Sequence, residues 1–326
     1  SAVPRAWTLQ AAPTPTPDTG PWTVTCDTLQ LSGSHALYAT SRHKAVKGLD
    51  PSYIEVSNVN LAVHNLYNRG TTVSVPLQYL RAKERCGIEI ENAHGTLAMH
   101  DGMVDIDKFG LKTFMSRIYL DAHGPMTLLN KKPTGQFRVS TNSQIALQEI
   151  AMMLPRLKPM FKMVPQYNPV ALRGSLAGTP SRINIKTLTA EIPKYARVAV
   201  SGGVSNPLEP ARLSGNVAFD ATVTNADFIK PTLLDKAQQR QLNIPPMALN
   251  GRVHFDAKSN VAGNVAMRLA GGRAVGQGSF SANSQRYNVD ATFVQFPVKK
   301  ILPLAPADNL TAHVSASGHG FDFLKA

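Results

Sequence analysis

The sequence is poor in cysteine and has no long apolar run, and each shortage excludes a class of protein. Its two cysteines, Cys26 and Cys86, are too few for a metal cluster and match no CxxC redox motif. One disulfide and two free thiols are both left open. No apolar run could span a bilayer, and the chain begins at Ser1 without a signal peptide. We therefore expect a piece of a longer protein, with any membrane anchor outside it.

Motifs for catalysis and metal binding are also missing. His94 and His100 lack HExxH spacing, and Asp105 and Asp107 lack the glycine and terminal glutamate of a calcium loop. The glycine-rich segment GGRAVGQGSF has neither GxGxxG order nor a following helix pattern. No nucleophile elbow is present. The sequence thus predicts no catalytic residues, no metal site and no cofactor, and we expect a protein that is not an enzyme.

The charge is basic but dispersed. Charged residues make up 17% of the chain, and the formal net charge is +13. The tightest basic groups are Arg156, Lys158 and Lys162, the pair Lys131 and Lys132, and the pair Lys299 and Lys300. No regular series of aromatic residues accompanies them, so nucleic acid is not an expected partner. Weak attraction to anionic lipid or lipopolysaccharide is compatible with this charge.

The chain is instead rich in segments whose apolar and polar residues alternate. In the segment LSGNVAFDATV, residues 213–223, apolar and polar residues alternate without a break. This is typical of a strand with one apolar face that is shielded from water, which we call the dry face. Similar segments follow one another along the chain, separated by turn-forming groups such as NRG at 68–70, HDG at 100–102 and AHG at 122–124. This pattern predicts a mainly β fold, an antiparallel meander.

Two segments have helical spacing instead. Residues 142–153, NSQIALQEIAMM, predict a helix with Asn142 or Ser143 as its N-cap, and residues 227–242 predict a second one with a cap at Thr232. A methionine-rich stretch at 151–165 either plugs one end of a β core or contacts lipid. We therefore divide the chain into three parts, of which the two β segments could form one continuous groove. They are a linker or edge segment at 1–20, a first β segment at 21–141, and a second at 142–326 with helical inserts near 142–164 and 227–243.

An internal sequence repeat suggests that one structural unit occurs more than once. LSGNVAFDATVTNADFIKP, from Leu213, resembles LTAHVSASGHGFDFLKA, from Leu310, and glycines 135, 174, 215 and 251 have similar spacing. A repeated meander tends to extend in one direction. Alternation alone does not separate an open groove from a closed sandwich. The predicted dry face, which carries no charge, comprises Val217, Phe219, Val223, Val253, Phe255, Val265, Met267, Leu269, Val289, Phe293, Ile88, Ile90, Val104 and Ile106.

The pattern resembles the AsmA and TamB superfamily of bridge-like lipid transporters, in particular TamB-like translocation and assembly module proteins of the Bacteroidota type. The resemblance rests on residues 21–40, residues 54–99 and the repeated LSGNV and DFIKP elements. It implies a U-shaped β-groove, the β-taco, with one or two short helices. It also implies that the residues of the dry face contact phospholipid acyl chains passing from the inner to the outer membrane.

The same resemblance implies a periplasmic protein anchored in the inner membrane of a Gram-negative bacterium. An Omp85-family outer-membrane barrel would be a partner, through a region outside this segment. At about 16 residues per strand and turn, the chain would form roughly 20 strands and a trough about 90 Å long. The alternative hypothesis is a structural or adhesive β-sandwich or solenoid that binds protein or glycan through its polar face.

Overall fold

Strands account for 66% of the protein in the computed structural model, which describes residues 21–40, 45–130, 132–158, 169–227, 230 and 242–319. The first seven strands are β1 (Thr23–Ala39), β2 (Tyr53–Arg69), β3 (Thr72–Glu84), β4 (Glu89–His100), β5 (Met103–Thr113), β6 (Arg117–Pro125) and β7 (Phe137–Ile145). The other nine are β8 (Val170–Thr179), β9 (Arg182–Ile192), β10 (Ala196–Ser205), β11 (Ser214–Val223), β12 (Met247–Phe255), β13 (Asn260–Leu269), β14 (Gly272–Ser281), β15 (Arg286–Phe296) and β16 (Leu310–His319).

All sixteen strands form one antiparallel sheet in sequence order, from β1 at one edge to β16 at the other. The sheet is open and does not close into a barrel, which confirms the predicted fold class, an elongated antiparallel meander. The described residues contain sixteen strands, whereas the estimate of roughly 20 was for all 326 residues, including those outside the described ranges. Sixteen strands at about 4.8 Å spacing extend about 70 Å along the sheet.

One of the predicted turns is present and another is absent, which accounts for part of the difference between the estimated and the observed number of strands. Asp101 and Gly102 have φ values of +48° and +73° and form the predicted turn between β4 and β5. The predicted turn at 122–124 is wrong, because these residues continue β6. Ala122 pairs with Ile106 on one side and Val139 on the other, so its backbone is in the sheet ladder.

In the part of the chain that the structure describes, helices are few and short. They are α1 (Leu147–Met153), α2 (Val298–Ile301) and the 3₁₀ turns Met126–Leu129, Pro155–Leu157 and Pro210–Arg212. The predicted start of α1 is wrong: Ser143 and Ile145 belong to β7 and pair with Leu172 and Val170, and Ala146 is the N-cap. Strand pairing satisfies this backbone, so it outweighs the capping preference of Ser143. The second predicted insert and the end of the methionine-rich stretch lie largely outside the described residues.

Helix α1 is held at one rim of the sheet by a buried carboxylate. Glu149 accepts hydrogen bonds from the Thr113 hydroxyl at 2.6 Å, from the backbone N–H of Met115 at 3.1 Å and from the Ser116 hydroxyl. Ser116 Oγ in turn accepts a hydrogen bond from the N–H of Ala146 at 3.0 Å. These bonds attach the start of α1 to the turn between β5 and β6.

The described residues contain only a small closed core. Nine hydrophobic residues are buried, and six of them are alanines; the three larger ones are Val59, Val63 and Leu269. The strands contact mainly their hydrogen-bonded neighbours. A closed sandwich of this length would bury many large side chains between two sheets. The sheet is therefore essentially a single layer, with one apolar face lacking a second sheet over it.

Candidate functional site: an open apolar groove

The apolar face of the sheet is continuous from β8 to β16 because the strand register aligns its side chains in rows. Val217 pairs with Val253, and Val223 pairs with Met247, which pairs with Leu269. The positions on this face are occupied by Val, Ile, Leu, Met, Phe, Tyr, Ala and Gly, and none is charged across these nine strands. Such a face is suited to apolar chains and not to ions.

The two faces differ in exposure, although neither carries a second sheet. Along β12 every residue of the apolar face is half-buried and every residue of the polar face is exposed. Along β12 the apolar face is thus the less exposed one, and we call the apolar face of β8–β16 the groove.

Glycines mark the middle of the groove. Gly202 has a φ of +133°, and a Cβ there would overlap the backbone oxygen of Asn216 on the next strand. A Cβ at Gly251 would likewise overlap the backbone oxygen of Asn264. Glycines also occupy the two central rows at positions 174, 263, 276 and 278. At Gly202 and Gly251 a side chain would therefore overlap the neighbouring backbone, and we call these two central rows the floor of the groove.

Aromatic rings lie over some of these glycines. The Phe219 ring faces Gly251 on the neighbouring strand, and the Phe255 ring faces Gly215. An aromatic ring that covers a cross-strand glycine restores the packing that the glycine lacks. The predicted lining residues Phe219 and Phe255 therefore have a structural contact as well as a surface towards the groove.

The groove contains an apolar recess between β12 and β15. It has a volume of about 400 Å³ and is lined by Val253, Val261, Val265, Phe280 and Val289, among others. Val261, Val265 and Val289 keep 41%, 36% and 44% of their surface exposed. Large apolar side chains thus face open space, which is the arrangement expected of a ligand surface and not of a core.

A second recess lies in the first half of the sheet. Val104 and Ile106 line it with Val139, and Leu128 of the 3₁₀ turn Met126–Leu129 overhangs it; its volume is about 230 Å³. Register shifts interrupt the rows in β2, β4 and β5. This half is therefore less regular than the second.

The structure brings most of the predicted lining residues to the same face. Val217, Phe219, Val223, Val253, Phe255, Val265, Met267, Leu269, Val289 and Phe293 occupy rows of β11–β15. Ile90 lies in β4 opposite Thr113, close to α1. Ile88 does not belong to a strand row, because it lies in the turn that precedes β4. Leu269 is 1% exposed, so it is packed at the rim.

The polar face carries the paired charges. Asp105 contacts His123, and its other oxygen lies 3.4 Å from Nδ1 of His100. Sequence reasoning placed Asp105 on the polar face but missed its histidine partners, because they come from neighbouring strands. In the described residues, no group of three metal-binding side chains has the geometry of a metal site.

Both cysteines are free thiols. Burial, together with the hydrogen bond and negative charge of Glu84, raises the pKa of Cys86 to about 11. Glu84 accepts a hydrogen bond from the backbone N–H of Cys86 through one oxygen, and its other oxygen is buried without a partner. Cys86 is therefore a weak nucleophile at neutral pH.

Comparison with known proteins finds no matching family model, no matching curated protein and no matching solved structure. Among the helices of the described residues, none is both long and apolar enough to cross a membrane.

Proposed function

We propose that this chain is a segment of a periplasmic, bridge-like lipid carrier of the AsmA and TamB type, whose groove conducts phospholipid between the inner and outer membranes. The observation that carries the proposal is the uncharged apolar face of β8–β16, which is half-buried along β12 and has no second sheet over it. The anchor and the contact with an Omp85-family barrel belong to parts of the protein outside this segment.

The dimensions of the groove suit acyl chains. A phospholipid acyl chain fills about half of a ~30 Å hydrocarbon core, so the apolar face of β8–β16, about 40 Å along the sheet, is long enough for about two chains in file. The lining would shelter the tails while the headgroups stay in water at the open side. Movement along such a lining requires no bond to be made or broken, since the lining only lowers the cost of keeping apolar chains out of water.

Site-directed photocrosslinking in cells tests this proposal with two adjacent residues of one strand. Val253 faces the groove, and Arg252 lies on the polar face of β12. With p-benzoylphenylalanine at Val253 in the full-length protein, we expect phospholipid adducts detectable by mass spectrometry. The same probe at Arg252 should give none.

Two results would count against the proposal. Absence of lipid adducts at Val253 would contradict a lipid-filled groove. Protein or glycan adducts at Arg252 alone would instead favour the alternative hypothesis, a β protein that binds its partner through the polar face.

A further inference from the structure

A pair of arginines stands at one rim of the groove, on the polar face. β13 and β14 are joined by a two-residue turn at Ala270 and Gly271, with φ values of +44° and +92°. A turn with both residues at positive φ matches the twist of the strands and fixes their register. Arg268 therefore pairs directly with Arg273, on the same face of the hairpin.

This pairing places two like charges together without compensation. Directly opposite residues have Cβ atoms about 4.5–5.5 Å apart, and like charges at such positions are destabilising. Within the described residues, neither Arg268 nor Arg273 has an ion pair or a hydrogen bond from its side chain. Some other basic residues of the described chain do have partners: Lys112 lies 2.6 Å from Glu91 and Lys299 lies 2.6 Å from Asp308. The arginine pair therefore lacks the anion that would offset its repulsion.

The arginines border a recess that has room for such an anion. It has a volume of about 540 Å³, and Thr222 and Thr224 line it together with Arg268 and Arg273. Two guanidinium groups present planar sets of N–H donors that match phosphate oxygens, and threonine hydroxyls are further donors. The chemistry of the recess is that of a phosphate site.

The same rim is apolar on its other side. Val223, Met247 and Leu269 form one row of the groove at this rim, and all three also border the recess. A molecule with an apolar chain inside the groove and a phosphate at the rim would contact both sets of residues. A phospholipid has this arrangement of groups.

We propose that Arg268 and Arg273 bind the phosphate of a phospholipid whose acyl chains lie in the groove. The inference rests on the proposed function, because it assigns the acyl chains to the apolar face. Free phosphate offers the same chemistry to the arginines, so the experiment separates the two sources.

Calorimetric titration of the purified chain tests the site with three probes: dihexanoylphosphatidylglycerol, dihexanoylglycerol without phosphate, and inorganic phosphate. The variant carries Arg268→Gln and Arg273→Gln. The control carries Arg252→Gln and Arg286→Gln, which removes the same charge from the polar face elsewhere. We expect the unaltered chain to bind the phospholipid at least about tenfold more tightly than dihexanoylglycerol, because charge-assisted hydrogen bonds hold the phosphate.

The variant should lose this preference for the phospholipid while it keeps its affinity for dihexanoylglycerol, and the control should retain the preference. The proposal is overturned if the variant keeps the preference or if the control loses it equally. It is also overturned if inorganic phosphate binds as tightly as the phospholipid, which would make the pair a site for the free ion. If the groove does not bind acyl chains at all, neither lipid should bind while inorganic phosphate still should. That outcome is distinguishable from failure of the arginine site.

Discussion

A carboxylate placed inside the groove should block lipid without unfolding the sheet, and Val289 offers the sharpest test. Val289 lies on the apolar face and is 44% exposed, whereas its neighbour Asn288 is exposed on the polar face. Val289→Glu and Asn288→Glu add the same charge to adjacent positions of β15. They differ in the face that receives the charge, and Val289→Glu also removes a partly buried valine.

The magnitudes follow from this exposure. Full burial of a valine contributes about 1.5–3 kcal/mol, so the half-buried Val289 contributes about 1–2 kcal/mol to the free energy of unfolding. The substitution should therefore lower Tm by only about 2–3 °C. An ionised side chain surrounded by acyl chains costs roughly 2.5–3.5 kcal/mol, which corresponds to about 70- to 400-fold weaker lipid binding.

Thermal unfolding and binding of a fluorescent phospholipid measure the two effects separately. Asn288→Glu should change lipid affinity less than about threefold, because its carboxylate stays in water. If Val289→Glu instead lowered stability by more than about 4 kcal/mol, Val289 would belong to a closed core. If both variants bound lipid equally, acyl chains would not touch this face.

Three further predictions concern the structure around the groove. Gly202→Ala should lower the free energy of unfolding, measured by urea titration, by about 1–3 kcal/mol. An alanine there would adopt an unfavourable positive φ, and its Cβ would overlap the backbone oxygen of Asn216. Gly203→Ala should change the free energy of unfolding little, because a Cβ at Gly203 would have open space around it. If the two substitutions lowered the free energy of unfolding equally, the floor of the groove would not be strained at Gly202. Glu149→Ala removes the acceptor of three hydrogen bonds, so the amide hydrogens of α1 should exchange at least tenfold faster. This rate change corresponds to a decrease of about 1.4 kcal/mol or more in the free energy of opening the helix. Unchanged exchange would show that packing alone holds the helix. Cys86 should be alkylated about 100-fold more slowly at pH 8 than a thiol of pKa 9. Stability should fall between pH 9 and about 11, because the unfolded chain loses the thiol proton at a lower pH than the folded protein does. Alkylation at the rate of a free cysteine peptide would contradict the raised pKa.

The sequence predicted the strands and their faces more successfully than the boundaries between them. Alternation identifies which residues share a face, because side chains on a strand repeat every two positions; Val217 and Val253 are an example. It could not show that Ser143 extends β7, since that depends on pairing with β8, which is distant in sequence. The contacts of Glu149 were equally hidden, because its partners follow β5 and lie more than thirty residues away.

Alternation was also unable to decide between a groove and a sandwich, since a dry face looks the same in both. The decision came from burial: Val261 and Val289 stay more than 40% exposed although they belong to a continuous apolar face. Apolar surface that stays in water after folding raises the free energy of the folded protein when no ligand is bound. A bound apolar molecule covers this surface and removes that contribution. A ligand that binds only the folded state then stabilises it in proportion to its occupancy. In the proposed function, an acyl chain would take the place of the missing second sheet, and the groove and its cargo would together form the core that the described residues do not form by themselves.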